Sequence, residues 1–185
     1  MKAEGISLWW MPEGDTRTDL KRLVDSLAAA HDAPPFEPHV TLIGQLMGDP
    51  TSVLDRCETL AERIAPFQAQ LGDLGHESVW TRWLFRWVTP SDAVMQANVQ
   101  ARALFGRHDD RPYTPHLSLM YGEFEPQRTQ VLLSADPGPP LNFPVDTLHA
   151  VSTQGPVQAW SVLASFPLVP DRSRQRHEPS RSFPD

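Results

Sequence analysis

Two copies of one short pattern contain the side chains best suited to chemistry in this sequence. Residues 38–42 read PHVTL and residues 115–119 read PHLSL, so His39 precedes Thr41 by two positions, as His116 precedes Ser118. An imidazole can accept or donate a proton near neutral pH. Hydroxyl groups and imidazolium rings donate hydrogen bonds to phosphoryl oxygens. Two such pairs around one pocket would suit acid–base cleavage of a phosphate ester, with one histidine as base and the other as acid.

The residues beside these groups predict that each copy is a β-strand with one polar and one apolar face. Side chains two apart in a strand point to the same side of a sheet, so each histidine lies beside its hydroxyl partner. Val40, Leu42, Leu117 and Leu119 then point to the other side, where they can pack under helices. A single His-x-Thr or His-x-Ser is usually structural, whereas two copies in matching surroundings favour a shared function.

The elements before the two copies match as well, which predicts two related lobes. A strand at 5–11 and a helix at 15–30 precede the first copy, and a strand at 79–88 and a helix at 91–105 precede the second. Two β-α-β units related by a pseudo-twofold axis would bring both histidine–hydroxyl pairs to one cleft. The remaining expected elements are helices at 49–64 and 125–133 and strands at 67–74, 141–151 and 160–168.

The composition of the chain excludes several classes of protein and several kinds of functional site. The chain has 185 residues, 40% of them hydrophobic, which is enough for a sizeable core, and its formal net charge of −7 offers no broad basic surface to duplex nucleic acid. A single cysteine, Cys57, excludes an intrachain disulfide and a cysteine-based zinc site, and His-x-Thr is not a usual spacing of metal ligands. No apolar run is long enough for a membrane span, and Glu4 argues against a signal peptide. We expect a cytoplasmic monomer that uses neither metal nor cofactor.

The end of the chain differs in composition from the rest. We expect one bilobal domain over residues 1–170 and a tail over residues 171–185 that is solvated or loosely attached. The tail contains four arginines and three acidic residues, so its net charge is only +1. An arm that binds nucleic acid is the alternative interpretation of this tail.

Three segments resemble the 2H phosphoesterase superfamily and, within it, the cyclic phosphodiesterase family of plants and fungi. They are Ser7-Leu8-Trp9 before Pro12, FEPHVT at residues 36–41, and PYTPHLSLMY at residues 112–121. The likeness extends, weakly between these segments, over about residues 5–168. It implies an α+β, bilobal 2H-phosphoesterase-like fold with antiparallel sheets lining a central cleft and helices outside.

The resemblance also implies an activity and a set of roles. Members of that family hydrolyse ADP-ribose 1″,2″-cyclic phosphate, a by-product of tRNA splicing, and nucleoside 2′,3′-cyclic phosphates, which they open to 2′-phosphates without a metal. By position, His39 and His116 match the catalytic residues, and Thr41 and Ser118 match the phosphate-binding residues. The analogy gives His116 the role of base and His39 the role of acid, although the residues alone do not order the two.

Trp9 and Tyr121 match the aromatic pocket positions of that family. Alternation along the first strand supports Trp9 independently, because Ser7 and Trp9 share the face opposite the apolar core, where Trp9 could stack on a base or ribose. Tyr121 has the wrong parity to share a face with His116, so it must lie where the strand ends or twists.

Two alternatives remain beside a small cyclic nucleotide as substrate. One is the branch of the superfamily that acts on 2′,3′-cyclic RNA ends or 2′–5′ linkages, to which a charge of −7 offers little attraction. The other is a catalytically inactive module that binds a cyclic nucleotide. The presence of all four histidine and hydroxyl residues of the two motifs argues against this alternative.

Arg82 and Arg86, on one face of the predicted 79–88 strand, are expected to be solvated surface residues.

Overall fold

The structure, a computed structural model, describes residues 5–134 and 140–170. The predicted tail at 171–185 therefore lies outside the described residues. Within these ranges the chain also forms two short 3₁₀ helices, Trp80–Arg82 and Val157–Ala159. The strands and α-helices are, in order, β1 (Ile6–Trp10), α1 (Gly14–His31), β2 (Val40–Leu46), α2 (Pro50–Ala61), β3 (Phe67–Gly75), β4 (Leu84–Val88), α3 (Asp92–Phe105), β5 (His116–Met120), α4 (Pro126–Leu133), β6 (Leu141–Val145), β7 (Thr147–Ser152) and β8 (Ser161–Pro167).

The strands form one curled antiparallel sheet in the order β6-β3-β4-β5-β2-β1-β7-β8. The two motif strands, β2 and β5, are neighbours at its centre, where Val40 pairs with Leu117. Outward from this centre, each half continues with the strand that precedes its motif: β1 beside β2, and β4 beside β5. The α+β fold with two matching β-α-β units is thus confirmed, and the expected separate sheets are two halves of one sheet.

Helices cover one face of the sheet and close the core. Helix α1 contacts β5 and α3 contacts β2, so the helix of each β-α-β unit packs on the motif strand of the other half. Val40, Leu42, Leu117 and Leu119 are buried in this core, as the alternation predicted. The Asn98 side chain on α3 donates a hydrogen bond of 2.7 Å to the Leu42 carbonyl, which fastens the helix to β2.

Local signals define the ends of two helices. Asp49 caps α2 by accepting a hydrogen bond of 2.9 Å from the Ser52 N–H, and proline follows it at the first helical position. Ser91 caps α3, which ends at Gly106 in the left-handed conformation with φ of 67°.

Two predicted strands are divided in the structure. The segment predicted as one strand at 141–151 is β6, which pairs with β3, and β7, which pairs with β1, so the chain passes from one half of the sheet to the other at Asp146. Polarity alternates through both strands, so periodicity alone does not reveal the change of partner. The segment predicted as a strand at 79–88 begins with the 3₁₀ helix and becomes strand only at Leu84.

Candidate active site

Each motif histidine is anchored to the backbone in the same way. The Nδ1 atom of His39 lies 2.6 Å from the Glu37 carbonyl oxygen, and Nδ1 of His116 lies 2.8 Å from the Thr114 carbonyl oxygen. A carbonyl oxygen only accepts, so both rings carry their proton on Nδ1 and donate it to these oxygens. In both rings Nε2 is left as the nitrogen that can take up or release a proton, which is the arrangement an acid–base pair requires.

One cavity contains all six side chains selected from the sequence. It has a volume of about 190 Å³, and its walls include Trp9, His39, Thr41, His116, Ser118 and Tyr121. The two halves of the sheet each supply one histidine and one hydroxyl, because β2 and β5 lie side by side. Pairing in the sheet also puts Trp9 opposite Thr41.

The hydroxyl groups occupy the same polar face as the rings. Ser118 is buried, and its Oγ donates a hydrogen bond of 2.8 Å to the Thr81 carbonyl oxygen. The backbone of Thr41 is held from the other half, because the Tyr113 hydroxyl donates to its carbonyl oxygen at 3.0 Å. The loop before the second motif therefore fixes the first motif.

Aromatic rings enclose His39. The indole of Trp9 stacks on the His39 imidazole with ring centroids 3.5 Å apart and an interplanar angle of 9°. Phe36 approaches the same imidazole at 6.1 Å and 71°, and it stacks on Tyr121 at 3.9 Å. Tyr121 follows β5 directly, as its parity required, and its hydroxyl lies 3.4 Å from Nε2 of His39.

Burial changes the protonation of both histidines. The pKa of His39 falls to about 4, chiefly because burial removes water from the charged ring; the bond to Glu37 opposes this and the charge of His116 adds to it. Burial also lowers the pKa of His116, against the effect of its bond to Thr114. Both rings are therefore biased toward the neutral form before a substrate binds.

Six residues that were not selected as site residues from the sequence also line the cavity, among them Arg82, Gln45 and Trp160. Arg82 was expected to be a solvated surface residue, but the 3₁₀ helix turns it toward the site, where it forms an ion pair of 2.5 Å with Glu77. Gln45 lies in a bulge of β2 with φ of 57°, and Trp160 precedes β8. No sequence pattern marked Gln45 or Trp160, since both depend on where distant strands meet.

Arg86 does not behave as expected either. It is buried, and its side chain donates hydrogen bonds to the carbonyl oxygens of Gly72, at 2.7 Å, and Leu71, at 3.3 Å, in β3. The prediction of a solvated Arg86 is therefore wrong, because a break in the β3–β4 register exposes carbonyl groups that its guanidinium satisfies.

Comparison with known proteins gives the family of this fold and site. A family model described as the 2′-5′ RNA ligase superfamily matches residues 13–156. The chain belongs to the 2′-5′ RNA ligase superfamily. This membership confirms the resemblance to 2H phosphoesterases drawn from the sequence.

One relative and two solved structures are similar to this chain. A cyclic phosphodiesterase of Arabidopsis thaliana is 24% identical over 123 residues, which are 66% of this chain and 68% of that protein. TT0787 of Thermus thermophilus is 20% identical with a TM-score of 0.66, over 90% of this chain and 99% of that one. E. coli LigT in its apo form is 17% identical with a TM-score of 0.60, over 91% and 99% of the two chains. These structures share the fold, and the family makes the protein a phosphoesterase.

The described residues contain neither a helix suited to a membrane nor a cluster of metal ligands. No helix there combines the length and the apolar character needed to cross a bilayer. Across residues 5–134 and 140–170, no three His, Cys, Asp or Glu side chains form a cluster that could hold a metal ion.

Proposed function

We propose that the protein opens ADP-ribose 1″,2″-cyclic phosphate, and hydrolyses nucleoside 2′,3′-cyclic phosphates to 2′-phosphates, using His39 and His116 and no metal. The observation that carries the proposal is the repeated anchoring of both imidazoles through Nδ1 beside one small cavity. The cyclic phosphodiesterase of Arabidopsis thaliana supports the choice of a cyclic phosphate. Thr41 and Ser118 are proposed to donate hydrogen bonds to the phosphoryl oxygens, for which the Ser118 hydroxyl turns away from the Thr81 carbonyl oxygen.

The reaction needs one base and one acid. The neutral imidazole accepts a proton from water at Nε2 while the water oxygen attacks phosphorus. The bond between phosphorus and one ribose oxygen breaks, and the protonated imidazole donates its Nε2 proton to that oxygen. The product is a phosphate monoester with an adjacent free hydroxyl, and each histidine ends in the protonation state opposite to the one in which it began.

The family resemblance and the burial of His39 favour opposite assignments of base and acid to the two histidines. The family analogy gives His116 the role of base, whereas the more depressed pKa of His39 favours His39 as base. A substrate with sulfur in place of the leaving oxygen separates these orders, because a thiolate leaves without help from an acid. The variant that lacks the acid should regain most of its rate on the sulfur substrate, and the variant that lacks the base should not.

The test of the function is ring opening by single-histidine variants, followed by chromatography of the opened product. His39→Asn retains an N–H that can reach the Glu37 carbonyl but cannot shuttle a proton, and His116→Asn is the equivalent change. Each should lose about 10²–10⁴-fold in kcat. His149→Asn is the matched control, because His149 bonds Ser165 outside this cavity. Near-normal turnover by both site variants would refute the proposal.

Two further measurements check the phosphate contacts and the absence of a metal. Thr41→Ala and Ser118→Ala should lose less activity than the histidine variants, about 10-fold each, since each removes one hydrogen bond to phosphate. Dialysis against a chelator should leave kcat unchanged. Activity that falls with the chelator and returns with zinc would contradict the metal-free scheme.

A further inference from the structure

A second cavity, of about 570 Å³, opens beside the candidate active site. The two cavities share four wall residues, Thr41, Gln45, Arg82 and His116. A molecule with one end between the two imidazoles can therefore extend directly into this second space. We call it the arginine groove, after Arg82, Arg102, Arg107 and Arg111 in its walls.

The arginine groove is positive although the chain as a whole is acidic. Four arginines line it, and Asp110 is the carboxylate among the described residues of its walls. Glu77 neutralises Arg82 from outside the wall, through the ion pair of 2.5 Å. A local excess of positive charge therefore remains on a protein whose formal net charge is −7. Such a concentration attracts an anion to this place while the rest of the surface repels it.

Two of these arginines hold the groove together. Arg107 forms an ion pair of 2.8 Å with Asp110 and donates to the Gly44 carbonyl of β2 at 3.1 Å. Arg102 donates to the carbonyl oxygens of Asp110 and Arg111, while its buried Nε has no hydrogen-bond partner among the described residues. Arg102 thus fixes the loop that follows α3 to that helix, and Arg107 fixes it to the first motif strand.

The groove also contains a guanidinium group, that of Arg111, without a partner among the described residues. The Arg111 side chain is exposed and forms no ion pair or hydrogen bond with the described residues, and Arg102 is bonded to neutral carbonyl groups. Guanidinium groups bind phosphate oxygens with paired, charge-assisted hydrogen bonds. A cyclic nucleoside phosphate without any further phosphate would leave these charges unmatched.

We infer that the arginine groove binds a second phosphate of the substrate, attached to the 5′ oxygen of the ribose that carries the cyclic phosphate. This inference rests on the function proposed above. The shared chemistry is a 5′-linked phosphate anion, which is present in a diphosphate-bridged nucleotide and in the terminal residue of an oligonucleotide. The groove would raise affinity for such substrates over a cyclic nucleoside phosphate that ends in a free 5′ hydroxyl.

The test compares adenosine 2′,3′-cyclic phosphate with the same compound carrying a 5′-phosphate. The wild-type protein should favour the 5′-phosphorylated compound by about 10-fold in kcat/KM, mainly through KM, and added salt should reduce this ratio. Arg111→Ala should abolish most of the advantage, and Arg111→Lys should retain part of it. Arg56→Ala is the matched control, because Arg56 is an exposed arginine of α2 outside both cavities, and it should leave the ratio unchanged.

Calorimetry measures the affinities of the protein for the same two compounds, so this comparison does not depend on turnover. If the protein binds both compounds but opens neither, the proposed function is refuted. The ratio of the two affinities still shows whether the arginine groove binds the 5′-phosphate. Equal binding of both compounds, or an equal loss for both in Arg111→Ala, would overturn the inference. ADP-ribose 1″,2″-cyclic phosphate and a dinucleotide with a 2′,3′-cyclic end then identify the source, since the better substrate shows whether the groove receives a diphosphate or a phosphodiester.

Discussion

Burial of His39 beneath Trp9 should decide the pH range in which the protein works. The active form of an acid–base pair carries one proton on the two rings, so kcat/KM falls at low pH as the second ring becomes protonated. Because burial lowers the pKa of His39 to about 4, that decline should occur near pH 4. The pKa of His116 is lowered too, so the optimum of kcat/KM should lie below 6.5, the ordinary pKa of histidine.

The size of the effect follows from how the ring is covered. A fall in pKa from 6.5 to about 4 corresponds to about 3 kcal/mol against the charged form. Trp9 lies flat against one face of the imidazole at 3.5 Å, so its removal admits water to one of two faces. We expect Trp9→Ala to raise the pKa of His39 by about one unit, or about 1.4 kcal/mol.

The assay is kcat/KM for ring opening across the acidic and neutral pH range, with circular dichroism at each pH to confirm that the protein is folded. Trp9→Ala should move the acidic decline upward by about one pH unit. Trp9→Phe keeps an apolar ring over the imidazole and should leave the decline in place. The Cε1 proton resonance of His39 gives its pKa directly, so the reading does not depend on residual activity.

Two results would refute this reasoning. A wild-type decline centred near the ordinary histidine pKa would show that burial does not control the ring. An unchanged pKa of His39 in folded Trp9→Ala would show that the indole is not the cover that excludes water.

Two further predictions concern packing and the Tyr121 hydroxyl. An added Cβ at Gly75 would overlap the Phe85 ring, so Gly75→Ala should destabilise the protein by about 1–3 kcal/mol in urea denaturation; Gly72→Ala, with an ordinary 3.9 Å contact, should change stability little, and equal effects would contradict the clash. Tyr121→Phe removes a hydroxyl 3.4 Å from Nε2 of His39 and should lower kcat/KM by about 3- to 10-fold, whereas an unaltered value would exclude a role for that hydroxyl.

Much of the candidate site could be predicted from local pattern. Strand alternation alone placed each histidine with its hydroxyl and put Val40 and Leu117 in the core, because side-chain direction in a strand has a period of two. The matching order of strand, helix and motif predicted two equivalent units. The parity of Tyr121 required an end of the strand, and β5 ends at the preceding residue.

Other features depend on which strands meet. Asp146 separates two strands that join opposite halves of the sheet, and nothing in the local alternation of polarity records a change of partner. Arg86 is buried because it satisfies carbonyl groups where the register of β3 and β4 is broken. Which backbone carbonyl groups lack a strand partner, and which side chain bonds them instead, can be seen only in the three-dimensional structure.

By itself the sequence determined the chemical groups of this site, their pairing along each strand and the family to which they belong. The groups and their pairing follow from residue type and from the fixed geometry of an extended chain, and the family follows from the resemblance of three segments to known members. Only the tertiary structure decided that Trp9 stacks on the His39 ring, that burial of this ring lowers its pKa, and that four arginines from three segments line one groove. Solvation and electrostatic potential depend on distances between residues far apart in the chain, and folding alone sets those distances.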